Sequence, residues 1–181
     1  MTDTTVTEYT TTALEDPTAL TGIDWAEAGA MYPDWRGINY DRNMTVKDIA
    51  AVVRKELRKA IKAGKLGTAV KVNVRYETYA GGCSINTTIT VPKVKVNADT
   101  PGATKTLDRY GDEVWVVIPD EATYATPGHI DTIEPGAREA QAKAEAFIAT
   151  FNYNGSNTQI DYFNVRFYGS VDLRNENGGW E

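Results

Sequence analysis

Residues 45–91, TVKDIAAVVRKELRKAIKAGKLGTAVKVNVRYETYAGGCSINTTITV, carry two successive hydrophobic periods, and their order decides the fold class. In the first half Val46, Ile49, Val53, Leu57, Ala60 and Ile61 recur at three and four residues, the stripe of an amphipathic helix. Thr45 is an N-cap residue, Asp48 completes a capping-box start, and Gly64 supplies the C-cap after a turn containing Lys62. In the second half the period falls to two. Val70, Val72, Val74 and Tyr76 alternate with Lys71, Asn73, Arg75 and Glu77, and Cys83, Ile85, Thr87, Ile89 and Val91 repeat the pattern beyond Gly81-Gly82. Two alternating runs joined through paired glycines predict a β-hairpin, which Pro92 ends.

Working outward, residues 97–112 read as a long loop and EVWVVI, Glu113–Ile118, as a short apolar strand. Pro135-Gly136 opens a second helix whose stripe is Ala137, Ala140, Ala144, Phe147, Ile148 and Phe151. A final strand alternates Phe163, Val165 and Phe167 with Tyr162, Asn164, Arg166 and Tyr168 and reaches Leu173. The order α-β-β-β-α-β predicts an α+β fold: a single antiparallel or mixed sheet of about four strands with two main helices on one face. Residues 1–21, Thr-rich with scattered acids and no period, read as a disordered tail. Residues 22–44, with Trp25, Met31, Tyr32, Trp35 and Tyr40, read as an irregular aromatic segment docked on the domain. The domain proper is expected to span residues 45–173, followed by a frayed C-terminus at residues 174–181.

The net charge of −6 is unevenly spread. Residues 45–75 carry nine bases and two acids, whereas residues 110–181 carry four bases and twelve acids. No apolar run approaches the ~18–20 residues of a membrane helix, and the N-terminus lacks the basic and apolar regions of a secretory signal. A cytoplasmic protein is expected. Cys83 and His129 are each the sole residue of their type, too few for a disulfide framework or the usual structural zinc sets. Neither a P-loop nor a dinucleotide-binding glycine pattern is present, so no cofactor is expected.

Three stretches together resemble a known family: Arg54-Lys55-Glu56-Leu57 in the first helix, Arg75 with Tyr79 to Ile85 in the hairpin, and Asp161-Tyr162-Phe163 with Phe167-Tyr168 in the last strand. They are similar to the large polyvalent protein associated domains of phages and conjugative elements, over roughly residues 45–173. In that family an aromatic-Pro-Gly usually follows the helix, where this chain has Ala-Gly-Lys-Leu-Gly. The resemblance implies a bacteriophage or mobile-element accessory protein acting in the cytoplasm of a bacterial host, and it brings no enzymatic activity.

Three surfaces are candidates for function. The first is the glycine hairpin, Tyr79, Gly81, Gly82, Cys83 and Ser84, where the glycines either admit a ligand close to the backbone or only supply a tight turn. The second is a sheet face. Arg75, Tyr162, Arg166 and Tyr168 alternate with apolar neighbours and should share the side opposite the helices, either free for a partner or covered by residues 22–44. The third is the basic helix row Arg54, Arg58 and Lys62, with Lys55 and Lys59 beside it, which suits phosphates or is merely solvated. A double-stranded RNA-binding arrangement fits less well, because Arg138 and Lys143 of the second helix are offset by Glu139 and Glu145. Cys83 has no local base, and the Asp112/Glu113 and Asp120/Glu121 pairs read as solvated acids, so no catalytic or metal set is expected. The leading expectation is a non-enzymatic protein that binds a host protein. Nucleic-acid binding through residues 45–75 is the alternative, and a small hydrolase or transferase the third reading.

Overall fold

A computed structural model of the chain describes residues 9–19, 21–25, 34–92, 98–99, 103–107, 110–117, 136–157 and 164–176. It is an α+β protein with two helices, α1 (Val46–Lys62) and α2 (Ala137–Ala149). Eight described strands form three small sheets. Strands β3 (Lys71–Tyr79), β4 (Gly82–Val91) and β8 (Tyr168–Asn175) make the central one, in the order β3-β4-β8. Strands β1 (Gly22–Trp25), β2 (Asp34–Gly37) and β7 (Tyr153–Asn154) make a second, and β5 (Ala103–Leu107) pairs with β6 (Glu113–Val117) as a separate hairpin.

Local chemistry closes α1 at both ends. The Asp48 backbone N–H donates to Thr45 Oγ1 at 3.2 Å, and the Thr45 N–H donates back to the Asp48 carboxylate at 3.3 Å. Two of the free N–H groups of the first turn are thereby satisfied. The Thr45 hydroxyl and N–H hold the Asp48 carboxyl below its ordinary value. At the other end Gly64 takes φ +71°, its N–H reaches Ile61 O, and the Lys65 N–H reaches Ala60 O at 2.9 Å. These paired bonds form a Schellman motif, and a residue with a Cβ would be strained at that left-handed position. The helix buries Ile49, Ala50, Val53, Leu57 and Ala60.

That stripe meets the apolar face of the central sheet, where Val72 and Val74 of β3, Ile85, Ile89 and Val91 of β4, and Val171 of β8 are buried. The β3–β4 hairpin is antiparallel, with Tyr79 opposite Gly82, and β8 lies parallel to β4 with Ser84 opposite Tyr168. A parallel neighbour needs a crossover, and α2 provides it, packing Ala137, Ala140, Ala144, Phe147 and Ile148 into the same core. Both helices contact this sheet and share one buried cluster. The strand of residues 113–117 does not join it, which corrects the expected four-stranded sheet. Its partner β5 falls in the stretch expected to be a loop.

The N-terminal reading also needs correction. Within the expected tail, part of the stretch Tyr9 to Ala19 is anchored to the core. A 3-10 turn, Thr12–Leu14, sets Ala13 and Leu14 in the core at 2 % exposure each, and the Tyr9 ring lies 5.3 Å from that of Phe151. The Lys65 ammonium pairs with Glu15 at 2.6 Å, tying the segment to the end of α1. Residues 22–44, expected to be irregular, contribute β1 and β2. Asn39 is the staple that holds them. Its side chain donates to Thr10 O at 2.9 Å and to Thr150 Oγ1 at 2.8 Å, while its N–H donates to Thr150 O at 2.8 Å. At the C-terminal end, Arg174 and Asn175 belong to β8 and the following Glu176 N–H donates to Val91 O at 3.0 Å, so fraying does not begin at residue 174. Residues 1–8, Met31, Tyr32 and 177–181 lie outside the described residues.

Leu14→Ala is expected to lower stability by about 2–4 kcal/mol, as for other buried leucines. The urea midpoint of the variant measures it, and a solvated tail would leave that midpoint unmoved.

Candidate functional site

The side of the central sheet away from the helices is polar and open. Strand alternation places Lys71, Asn73, Arg75 and Glu77 of β3 there, all exposed, because Val72 and Val74 point into the core. The two registers then align four rows across the sheet. Glu77, Ser84 and Tyr168 form the first and Arg75, Asn86 and Ser170 the second. Asn73, Thr88 and Asp172 form the third, and Lys71, Thr90 and Arg174 the fourth. Asn86 organises the middle. Its Nδ2 donates to the Glu77 carboxylate at 3.1 Å, and its Oδ1 accepts from the Ser170 hydroxyl at 3.2 Å, so a hydrogen-bond chain spans all three strands. Apart from Ser84, Tyr168 and Ser170, the residues of these rows line an open concavity of about 1130 Å3, which Arg58 of α1 also lines. No described residue of 22–44 lines it.

One end of the face is aromatic. Tyr79 and Tyr168 are 50 % and 51 % exposed. Gly82 lies between their rings, at φ +150°, and a Cβ there would meet both rings at ordinary contact distance. Space is therefore available at Gly82, and backbone conformation is what demands glycine. Cys83 is half-buried on the opposite side of β4 and hydrogen-bonds Tyr76, whose phenol is pushed up first by burial and then by that contact. The expected hairpin set therefore divides: Tyr79, Gly81 and Gly82 are exposed at the turn, Cys83 faces the core side, and Ser84 is buried within the first row.

The expected sheet-face set divides as well. Arg75 and Tyr168 lie on the open face, and Tyr162 is outside the described residues. Arg166 is elsewhere, and this corrects the reading. The strand begins only at Tyr168, and the chain bends at Arg166. The Arg166 guanidinium instead lies 4.8 Å above the Tyr40 ring and donates to Met44 O. Burial lowers its pKa, with Tyr40 and Asp41 acting the other way. Tyr40 has Arg36 on it too, at 5.8 Å, and Tyr153 packs at 5.7 Å. The Tyr153 hydroxyl donates to Asp34 at 2.8 Å. This cluster fastens β2 to β7 and is a packing device rather than an open site.

The basic helix row is broken up. Arg54 Nη2 donates to Val74 O at 2.5 Å, Lys59 pairs with Glu56 at 3.6 Å, and Arg58 lines the sheet-face concavity. Lys55 and Lys62 are exposed. Asn73, Asn86, Thr88, Asp172 and Arg174 are not singled out by the sequence, whereas it places Lys71 near a candidate surface. The signal that finds them is the polar half of the same alternation that identified the strands. Among the described residues, no three His, Cys, Asp or Glu side chains stand close enough to hold a metal ion. His129 lies outside the described residues. Among those residues, too, no helix is long and apolar enough to cross a membrane. Comparison with protein-family models, with curated proteins and with solved structures found no match.

Burial first, and then the hydrogen bond to Asp34, push the Tyr153 phenol up to about 12. A raised folded-state value means the neutral phenol is favoured by the fold. Its contribution is complete below the ordinary value of 10.0 and is lost as pH rises through about 12. Asp34→Asn is expected to bring this ionisation down part of the way, burial being the larger cause, and ultraviolet phenolate titration of the folded protein reads the change.

Proposed function

We propose that this protein is a non-enzymatic accessory protein of a bacteriophage or mobile element that binds a host protein through the open face of its β3-β4-β8 sheet. The observation that carries this reading is the face itself, which no described residue of 22–44 lines: four aligned polar rows with two half-exposed tyrosines at one end. Tyrosine and arginine dominate the energetic centres of protein interfaces, because each buries a large area and keeps a polar handle. Ordered Asn, Thr and Ser side chains around them supply the hydrogen bonds that a wet interface needs. The phage or mobile-element origin rests on the likeness of the helix, hairpin and last-strand motifs to the polyvalent-protein domains, and the bacterial cytoplasm follows from that origin.

Nucleic-acid binding through residues 45–75 is the alternative, and the meeting of Arg58, Lys71 and Arg75 on one concavity is the observation in its favour. It is weakened by the commitment of Arg54 to a strand carbonyl and of Lys59 to Glu56. It is weakened further by Glu77, Asp172 and Glu176, whose carboxylates line the same concavity.

Affinity purification of the tagged protein from bacterial lysate, with and without nuclease, separates the two. A protein partner retained after nuclease is expected. Tyr79→Ala combined with Tyr168→Ala should cut its recovery about tenfold or more, since two interface tyrosines commonly carry that much binding energy. Both residues are exposed, so the fold should persist. Undiminished recovery by the double variant would remove the sheet face from the reading, and nucleic acid recovered alone would favour the alternative.

A further inference from the structure

Resting on that proposed sheet-face reading, we infer that Arg58, Lys71 and Arg75 form an anion-reading edge of the face, and that its occupant is an extended acidic peptide segment of the partner protein. These three cations line one concavity from the β3 side. Several other described bases are matched, Lys65 with Glu15, Lys143 with Glu139, Lys105 with Glu113, Arg54 with Val74 O and Arg166 with Met44 O, while Lys55 and Lys62 are exposed on α1 and do not line the concavity. Arg58, Lys71 and Arg75 have no such partner among the described residues. The carboxylate nearest Arg75 along the strand, Glu77, is turned to Asn86.

Spacing selects the kind of anion. Lys71 and Arg75 are four residues apart on one face of β3, about 13 Å at the rise of a strand. An extended peptide has the same rise, so carboxylates at its positions i and i+4 meet both cations at once, with Asn73 between them. A nucleic acid fits less well. Its charge is continuous along the backbone, and across this sheet it would run onto Asp172 and Glu176, two carboxylates against the one cation Arg174 on the β8 side. An acidic peptide can keep its carboxylates on the β3 side and present amide groups to Thr88, Thr90 and Asn86. Nor does the peptide have to join as a fourth strand, because Arg54 already occupies the Val74 carbonyl on β3.

The test is fluorescence anisotropy with the full-length protein and three labelled probes. One is a Thr/Ala/Ser decapeptide with Glu at i and i+4, the second is the same peptide with Gln at both positions, and the third is oligothymidylate of similar length. The Glu peptide is expected to bind at least about tenfold more tightly than the Gln peptide. The combined Arg58→Gln, Lys71→Gln and Arg75→Gln variant should remove that preference, while its circular dichroism and melting temperature match those of wild type. Equal binding of the two peptides, no binding of the Glu peptide, or tighter binding of oligothymidylate would each overturn the inference. The lysate experiment keeps it distinct from the reading beneath it. A partner lost by the tyrosine variant but kept by the triple-Gln variant sinks the acidic-peptide inference alone. A partner kept by the tyrosine variant sinks the sheet-face reading, and the inference with it.

Discussion

The turn that leaves α2 is the joint on which the rest of the structure depends. Thr150, Phe151 and Asn152 each serve a different segment. Thr150 accepts from the Asn39 backbone and side chain, and its hydroxyl donates to Phe147 O at 2.6 Å. The Phe151 ring fills the space between Phe147 and Tyr9. Asn152 accepts the Gly37 N–H through its carbonyl, and its side chain donates to Phe167 O at 3.0 Å and accepts the Tyr153 N–H at 2.8 Å. Gly37 approaches so closely that a Cβ would collide with the Thr150 carbonyl. A buried turn of this kind satisfies backbone groups that a helix end otherwise leaves unpaired. It also binds the N-terminal segment, the second sheet and the entry to β8 to one helix.

That joint anchors Tyr9 to Ala19 at the end of α2, and none of these residues lines the concavity on the central sheet. The sheet is left with one face buried by helices and one open. Its two outer strands are each held by a helix side chain: Arg54 donates to Val74 O on β3 and Gln141 donates to Val171 O at 2.7 Å on β8. Carbonyls taken in this way are not offered to a neighbouring chain. Under the proposed function, this leaves the face, where side-chain identity rather than backbone pairing would select the partner.

Periodicity made α1, the β3–β4 hairpin and α2 legible, since each buries one face and repeats its apolar residues at the period of its backbone. The caps of α1 were equally readable, because Thr45, Asp48 and Gly64 act on groups within a few residues. What was not legible depended on partners distant in the chain. Ala13 and Leu14 are two apolar residues in a Thr-rich stretch and have no period to announce them. Arg166 sits in an alternating run that continues into β8, so its place on the strand looked assured. Only Tyr40 and Met44, from the other end of the chain, draw it away. The open face was half readable: Arg75 and Tyr168 stood out as large residues, whereas Asn86, which ties Glu77 to Ser170, is an ordinary polar residue until the register is known.

The parallel pairing of β4 with β8 sets a constraint on synthesis. Strand β4 leaves the ribosome long before β8, so for much of translation Ile85, Ile89 and Val91 have α1 above them and no neighbour on one side. The nascent hairpin must wait, with an unpaired edge, for α2 and then β8 to arrive. Non-local closure of this kind is slow and exposes the intermediate to wrong pairing. The threonines and the Asn86 and Ser84 side chains of β4 make that waiting edge more hydrophilic than a run of valine and isoleucine would be, so the side chains that make one face of the finished sheet polar also keep the half-made one in solution.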